Sequence, residues 1–263
     1  MRIVVLVKPV PDNASGEERL GPDGWVDRSA VTPVLNGNDE YAVEAALQLV
    51  EASLGGGEVT LLAMAPESAP ETLRKALAMG ADRAVLVTDP ALAGSCALST
   101  ARTLAAALRG LEYDLVLAGV DTSDGGGGIV AAGVATLLGL PYLSYGARIE
   151  VADGRVRVRR ISSTGYDVIE APLPALVVAT QAIGEPRYPS LKGIMGARRK
   201  EVAMRTVADL DLDGAVVGGA VATSRLTGIR TPPPRGATRV VQGPAAEAAR
   251  EVVAFLEDRR LIS

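Results

Sequence analysis

The chain has 263 residues, with 27 Lys and Arg against 31 Asp and Glu for a formal net charge of −4, and 3% aromatic residues. This balance disfavours a polyanionic partner and leaves few platforms for stacking bases, which argues against nucleic acid. The absence of histidine and the single cysteine, Cys96, exclude an imidazole acid or base, a histidine-based metal cage and an internal disulfide.

The opening MRIVVLVKPVPD carries a short apolar run with no small-residue cleavage site. It reads as a buried first strand rather than a signal peptide, and the expected location is the cytoplasm. Next come EYAVEAALQLVEA with a helical pattern and Asn38 or Asp39 as its N-cap, EVTLLAM as a strand, PETLRKALAMG as a helix closed by its glycine, and RAVLV as a strand. CALSTARTLAAALRG is a helix, YDLVLAG a strand and GGIVAAGVATLLG a helix. The longest apolar passage, IVAAGVATLLGLPYL, is too short and too interrupted by Gly and Pro to cross a bilayer, so no membrane insertion is expected. Strands that are apolar throughout, alternating with helices, predict a parallel sheet covered on both faces, a Rossmann-like layer over about residues 1–145.

The pattern then changes. ARIEVADGRVRVRRI holds two strand-like arms around a DG turn, and YDVIEA and PALVVATQ follow; together they read as an antiparallel addition to the same sheet. Prolines and glycines in AIGEPRYPSLKGIMGARRK discourage regular structure, and the segment reads as a presented loop. From about residue 206 the tail offers an extended VVGGAVATSRLTGI, a stiff RTPPPRG connector and an amphipathic PAAEAAREVVAFLEDRR helix.

In open α/β sheets ligands bind beyond the carboxyl ends of the strands. Here that edge carries VKPVPDN, AMAP and AGVDTSDGGGG, with NGND nearby. Asp121 and Asp124 are placed to bond a ribose or to cap the next helix, and the amides of Gly125–Gly128 to receive a phosphate. The glycines match neither GxGxxG nor a P-loop, so a capped helix with a loose entry is the competing reading. Leu191 likewise has two readings, an exposed anchor for a partner or a side chain folded back onto its own domain. Arg159 and Arg160 read as a solvated strand end, and Cys96 as a buried thiol opening a helix.

VKPVPD, NDEYAVEAAL, ETLRKALAMGADRAVLV, DLVLAGVDTSDGGGG, LPALVVAT, EPRYPSLKGIMGARRK and PPPRG, in this order and covering essentially the whole chain, resemble the β subunit of electron transfer flavoproteins. The resemblance implies an α/β, Rossmann-like fold of the adenine nucleotide α hydrolase-like kind, with a mostly parallel sheet, an antiparallel addition and a C-terminal arm. It implies a nucleotide-binding domain over 1–205, including a partner-recognition loop at 184–200, and an arm and helix over 206–263 packing on an α subunit. The α subunit would hold most of a FAD, and this chain an AMP, or a second FAD in its place. Carried over residue by residue, the AMP site comprises Leu6, Asn36, Gly37, Asn38, Asp39, Met64, Gly119, Val120, Asp121, Thr122, Ser123, Asp124, Gly125, Gly126, Gly127, Gly128, Ile129 and Val130. Glu185, Arg187, Tyr188, Leu191, Ile194 and Met195 form the docking segment for acyl-CoA and related flavoprotein dehydrogenases, and a membrane quinone oxidoreductase receives the electrons. The implied role is that of an electron-carrier subunit with no catalytic residues and no metal. A hydrolase on a similar layer needs a loop such as SGGxDS after the first strand, where this chain has KPVPDN. A free-standing nucleotide sensor leaves EPRYPSLKGIMGARRK and the tail without a purpose.

Overall fold

The computed structural model describes residues 1–12, 14, 20–21, 24–28, 31–53, 55–224, 226–230, 232–233, 236 and 238–262. They fall into two compact units, Met1–Leu226 and Thr227–Ser263. The first unit opens with β1 (Arg2–Leu6), β2 (Pro9–Pro11), β3 (Pro33–Leu35), α1 (Gly37–Ala52), β4 (Glu58–Met64), α2 (Pro70–Met79), β5 (Arg83–Val87) and α3 (Ala97–Arg109). It continues with β6 (Leu115–Gly119), α4 (Val130–Leu138), β7 (Tyr142–Ala152), β8 (Arg155–Ser162), β9 (Gly165–Pro172), β10 (Ala175–Ala179), α5 (Leu191–Ala197) and β11 (Val202–Arg205).

Nine strands form one sheet in the order β11-β5-β4-β1-β6-β10-β7-β8-β9, parallel from β11 to β7 and antiparallel across β7-β8-β9. Alternation along β1 sends Ile3 and Val5 to one core with Ala42 and Ala46 of α1 and Leu73 and Leu77 of α2. Val4 and Leu6 enter the other, with Leu104 and Leu108 of α3 and Val134 of α4. Each inner strand therefore meets helices on both faces, which is why its sequence is apolar rather than alternating.

The DG turn expected between two arms is present: Asp153 and Gly154 both have positive φ, 51° and 71°, as a two-residue hairpin turn requires, and Ala152 pairs with Arg155. PALVVATQ departs from its expected antiparallel setting. As β10 it is parallel and inserted between β6 and β7, with Leu176 opposite both Val116 and Tyr142. A buried five-residue strand is apolar in either direction, so its hydrophobicity carried no sign of polarity. The β2-β3 ribbon, pairing Pro9 with Leu35 and Pro11 with Pro33, was also unforeseen, because proline in a short run argues against a strand.

Residues 206–226 belong to the first unit. They hold short 3-10 turns at Ala208–Leu210, Gly214–Val216 and Gly218–Val221, the last of them inside the stretch 216–229 expected to be extended, with Val207 and Val217 buried. The Gly219 amide donates to the Ala93 carbonyl at 2.8 Å, and that stitch holds the segment in turns. The second unit contains α6 (Ala245–Asp258), whose Val252 and Val253 are exposed and whose Phe255 ring lies under the Arg259 guanidinium at 4.5 Å. Asn13 and parts of the RTPPPRG connector lie outside the described residues. Among the described residues no helix is long and apolar enough to cross a membrane.

Candidate functional site

The chain builds β1, β4 and β5 outward in one direction and then returns to place β6 on the other side of β1. The loops leaving β1 and β6 consequently diverge at a switch in strand order, where open α/β sheets have their binding crevice. Leu6, Met64 and Gly119 are the last residues of β1, β4 and β6, and Leu6 pairs with both Leu62 and Ala118. The three residues thus end neighbouring strands on one edge.

The start of α1 is tied into this edge by side chains. Helix α1 begins at Gly37 with Asn36 in the cap position, two residues before Asn38 and three before Asp39, the expected caps. Asn36 makes no capping bond, because its amide is used across the crevice. Its Nδ2 donates to Asp39 Oδ1 at 2.9 Å and to the Asp121 carbonyl at 2.8 Å, and its Oδ1 accepts from the Ser123 amide at 3.2 Å. Asn38 Nδ2 donates to Asp121 Oδ1 at 2.6 Å. Asp39 Oδ2 accepts from the Lys8 amide at 2.8 Å. Burial pushes the Asp39 carboxyl up to about 7, against the opposing pull of Asn36, Lys8 and the Gly119 amide. A Cβ on Gly119 would lie 2.6 Å from the Asn38 carbonyl carbon and from Asp39 Oδ1, so only glycine lets β6 end this close to α1.

Asp124 does not cap the following helix. Its side chain is 3% exposed and receives Lys8 Nζ on Oδ1 at 2.8 Å and Arg28 Nη2 on Oδ2 at 2.5 Å. Burial raises its carboxyl, but the Lys8 hydrogen bond and charge, with Arg28 and Thr122, overcome this and hold it down at about 2. The cap position of α4 falls to Ile129, which is 60% exposed. Between them Gly125 to Gly128 run along the surface, with Gly126 and Gly128 at φ of +56° and +61°, and nothing lies within 4 Å of where a Cβ would stand on Gly126 or Gly127. Lys8 and Arg28 thus stand beside bare backbone and the first turn of a nine-residue helix, with the Asp121 carboxylate on Asn38 at the other side of the loop. Thr122 and Val120 border the same loop, and Val130 opens α4. This donor set fits a phosphate-bearing nucleotide. Lys8 and Arg28 were not singled out from the sequence; Lys8 lies inside the quoted VKPVPD, while nothing local marks Arg28.

The presented segment at 184–200 is more ordered than its prolines and glycines suggest. Ser190 Oγ accepts from the Gly193 amide at 3.0 Å and starts α5. A Cβ on Gly193 would fall 2.4 Å from the Ala78 carbonyl, so α5 sits directly on the end of α2. Arg74 Nη1 donates to the Ala197 carbonyl at 2.9 Å, and Lys200 Nζ to the Leu77 and Ala81 carbonyls at 3.0 and 2.6 Å. Lys200 of the basic run therefore caps α2, while Arg198 and Arg199 stay exposed. Arg187, expected to meet a partner, is turned inward onto Glu44 and Glu51 of α1. Above this base Tyr188, Leu191, Ile194 and Met195 are 87%, 75%, 47% and 65% exposed, and Glu185 is also exposed. Leu191 does not fold back.

Away from both regions, Cys96 occupies the cap position of α3 and is buried. The Ser99 amide lowers its thiol to about 5 in spite of burial, assisted by the Ser99 hydroxyl and by Thr223. Arg159 and Arg160 are engaged rather than simply solvated: Arg159 lies 3.8 Å over the Tyr166 ring and Arg160 pairs with Asp167 at 2.7 Å.

A sequence model of the electron transfer flavoprotein domain matches residues 23–210. The chain is 38% identical to the electron transfer flavoprotein subunit beta of Clostridium acetobutylicum, with all of both chains covered. It is 40% identical to the subunit beta of Mycobacterium leprae, over 99% of each chain. It is also 34% identical to the caffeyl-CoA reductase-Etf complex subunit CarD of Acetobacterium woodii, again over the full length of both. End-to-end similarity of this degree, on a chain with a switch-point crevice and a pinned segment of exposed apolar side chains, leads to one conclusion: the chain belongs to the electron transfer flavoprotein family, among its β subunits.

Proposed function

We propose that this chain is the β half of a cytoplasmic heterodimer that carries electrons from acyl-CoA and related flavoprotein dehydrogenases to a membrane quinone oxidoreductase. A FAD held mostly by the α subunit supplies the electron-accepting chemistry. The chain itself breaks and forms no bonds: it holds a nucleotide and presents a landing surface. The observation carrying this reading is a short capped helix fixed at its base by Arg74, Lys200 and Arg187, with Leu191 at its start 75% exposed. An anchor that enters a partner pocket gains most when it is already ordered before contact.

At the switch point the nucleotide is AMP. Asn36, Asp39 and Gly119 set the floor, Leu6 and Met64 contribute apolar contact, and the glycine run with Lys8 and Arg28 receives the phosphate. Its role is structural: the carboxylate that the Thr122 hydroxyl meets, Asp124, is committed to Lys8 and Arg28 and held too low to serve as a base. Co-expression with the α subunit should give a yellow 1:1 complex, and acid extraction should release AMP and FAD in equal amounts. Two equivalents of FAD without AMP would replace AMP by a second flavin, and failure to associate would remove the heterodimer reading.

A further inference from the structure

Gly193 and Ala197, one turn apart on α5, form the side of that helix that rests on α2. A Cβ at position 193 has no room against the Ala78 carbonyl, and Ala197 is buried in the same core as Leu77 and Ala78. Leu191 and Met195 are displaced from that pair by two residues, about 200° around the helix, and so share the opposite side. Their exposure follows from this geometry. Leu191 is 75% and Met195 65% exposed, and with the inner side of the helix occupied by α2 the Met195 thioether has no interior to turn into.

The chain has five methionines, in different settings. Met79 is buried at 8%, Met1 and Met64 are half-buried, and Met204, on the edge strand β11, is 43% exposed. Met195 is the most open of the five. A thioether reacts with peroxide wherever the oxidant can reach its sulfur, so access sets the order in which methionines are oxidised. At Met195 the reaction also has a consequence that it lacks at Met204. Met195 stands one turn from Leu191 and next in sequence to the exposed Ile194. A sulfoxide there places a strong hydrogen-bond acceptor in a patch that binds by shedding water, and burying that oxygen unpaired opposes contact.

We propose that Met195 is a modification site at which hydrogen peroxide reversibly switches off the exposed apolar face of α5. The sulfur gives two electrons to the peroxide: an S–O bond forms, the O–O bond breaks, and the second oxygen leaves as water. A dithiol reductant reverses the step, removing the oxygen as water while its two thiols become a disulfide. The chemistry of the site stands on exposure; its effect on electron transfer rests on the docking role proposed above.

The test uses the co-expressed heterodimer and an acyl-CoA dehydrogenase encoded in the same genome. Peptide mass spectrometry after graded peroxide should show Met195 oxidised before Met204 and well before Met79. At full oxidation of Met195 the KM for the heterodimer should rise about tenfold, and methionine sulfoxide reductase with a dithiol should restore it. Met195→Leu, whatever its starting KM, should show no rise on the same treatment, whereas Met204→Leu should respond as the wild type does. Oxidation of Met204 or Met79 ahead of Met195, or a Met195→Leu protein as sensitive to peroxide as the wild type, would overturn the proposal. Leu191→Ala, measured alongside, separates this outcome from failure of the docking role. A raised KM in that variant with no change on Met195 oxidation removes the switch and leaves the docking role standing. No change in either removes the docking role, and the switch with it.

Discussion

Arg187 grips Glu44 as a fork, with Nε 2.8 Å from Oε2 and Nη2 3.0 Å from Oε1, while its other edge meets Glu51. Its backbone amide adds a bond to Glu44 Oε2 at 3.1 Å. The root of the 184–200 segment is thereby tied to a carboxylate whose side chain is 5% exposed. Burial opposes the charge on Glu44, but the Arg187 bonds win and hold its carboxyl below the usual range. Removing the guanidinium strands a buried charge. Arg187→Ala should cost roughly 2 kcal/mol in urea unfolding, below the range for fully buried pairs because Arg187 is partly exposed. Arg187→Lys should recover only part of that loss, since an ammonium cannot reproduce the fork. An unchanged midpoint for Arg187→Ala would refute the clamp.

Leu191 has the opposite character. With most of its side chain in solvent, Leu191→Ala should move unfolding stability by no more than about 0.5 kcal/mol. Flavin content of the heterodimer should stay at the wild-type level. Electron transfer from the partner dehydrogenase should fall at least about tenfold, chiefly as a raised KM for the flavoprotein. Steady-state kinetics with the heterodimer as varied substrate separates these, and an unaltered KM would remove the anchor assignment.

Gly119 tests the crevice floor. An alanine there has to displace the backbone of Asn38 or the Asp39 carboxylate, both at 2.6 Å from the added carbon. Gly119→Ala should destabilise the chain by about 1–3 kcal/mol and release the bound nucleotide on purification. Retention of one AMP per heterodimer in this variant would show that the nucleotide sits elsewhere.

The Asp124 ion cluster predicts how the chain responds to acid. Its carboxyl is depressed from 3.8 to about 2, so the folded state holds its proton less tightly than the unfolded state. The stability it confers is fully present above about pH 4 and disappears as the pH falls through 3.8 towards 2. Asp124→Asn should lower stability at neutral pH and flatten this acid limb. Unfolding curves recorded from pH 6 down to about 2 compare the slopes, and parallel limbs in the two proteins would contradict the assignment.

Much of the layer was legible because helix and strand periods differ and because glycine marks ends: Gly80 and Gly110 follow α2 and α3 as their sequences indicate. The hairpin at Asp153 and Gly154 was legible for the same local reason. The place of β10 was not, since position in a sheet is decided by partners far away in the chain. The same limit hid both anchoring clusters. Arg187 and Glu44 are 143 residues apart, and Lys8 and Asp124 are 116 apart. No local pattern tells an arginine that will be spent inside the fold from one held out to a partner. At the start of α1 the local signal misled: Asn38 and Asp39 read as caps, but Asn36 takes the cap position and spends its side-chain amide on bridging two loops.

The return of the chain at β10 makes the β7-β8-β9 piece an excursion that leaves the parallel order and rejoins it between β6 and β7. The glycine run follows β6 and α5 follows β10, and these two strands are adjacent in register. Residues within the excursion can therefore diverge, lengthen or change charge without altering the spacing between the glycine run and α5. Evolution can retune one surface of this protein as a separate module while the other two stay locked to the same pair of strands.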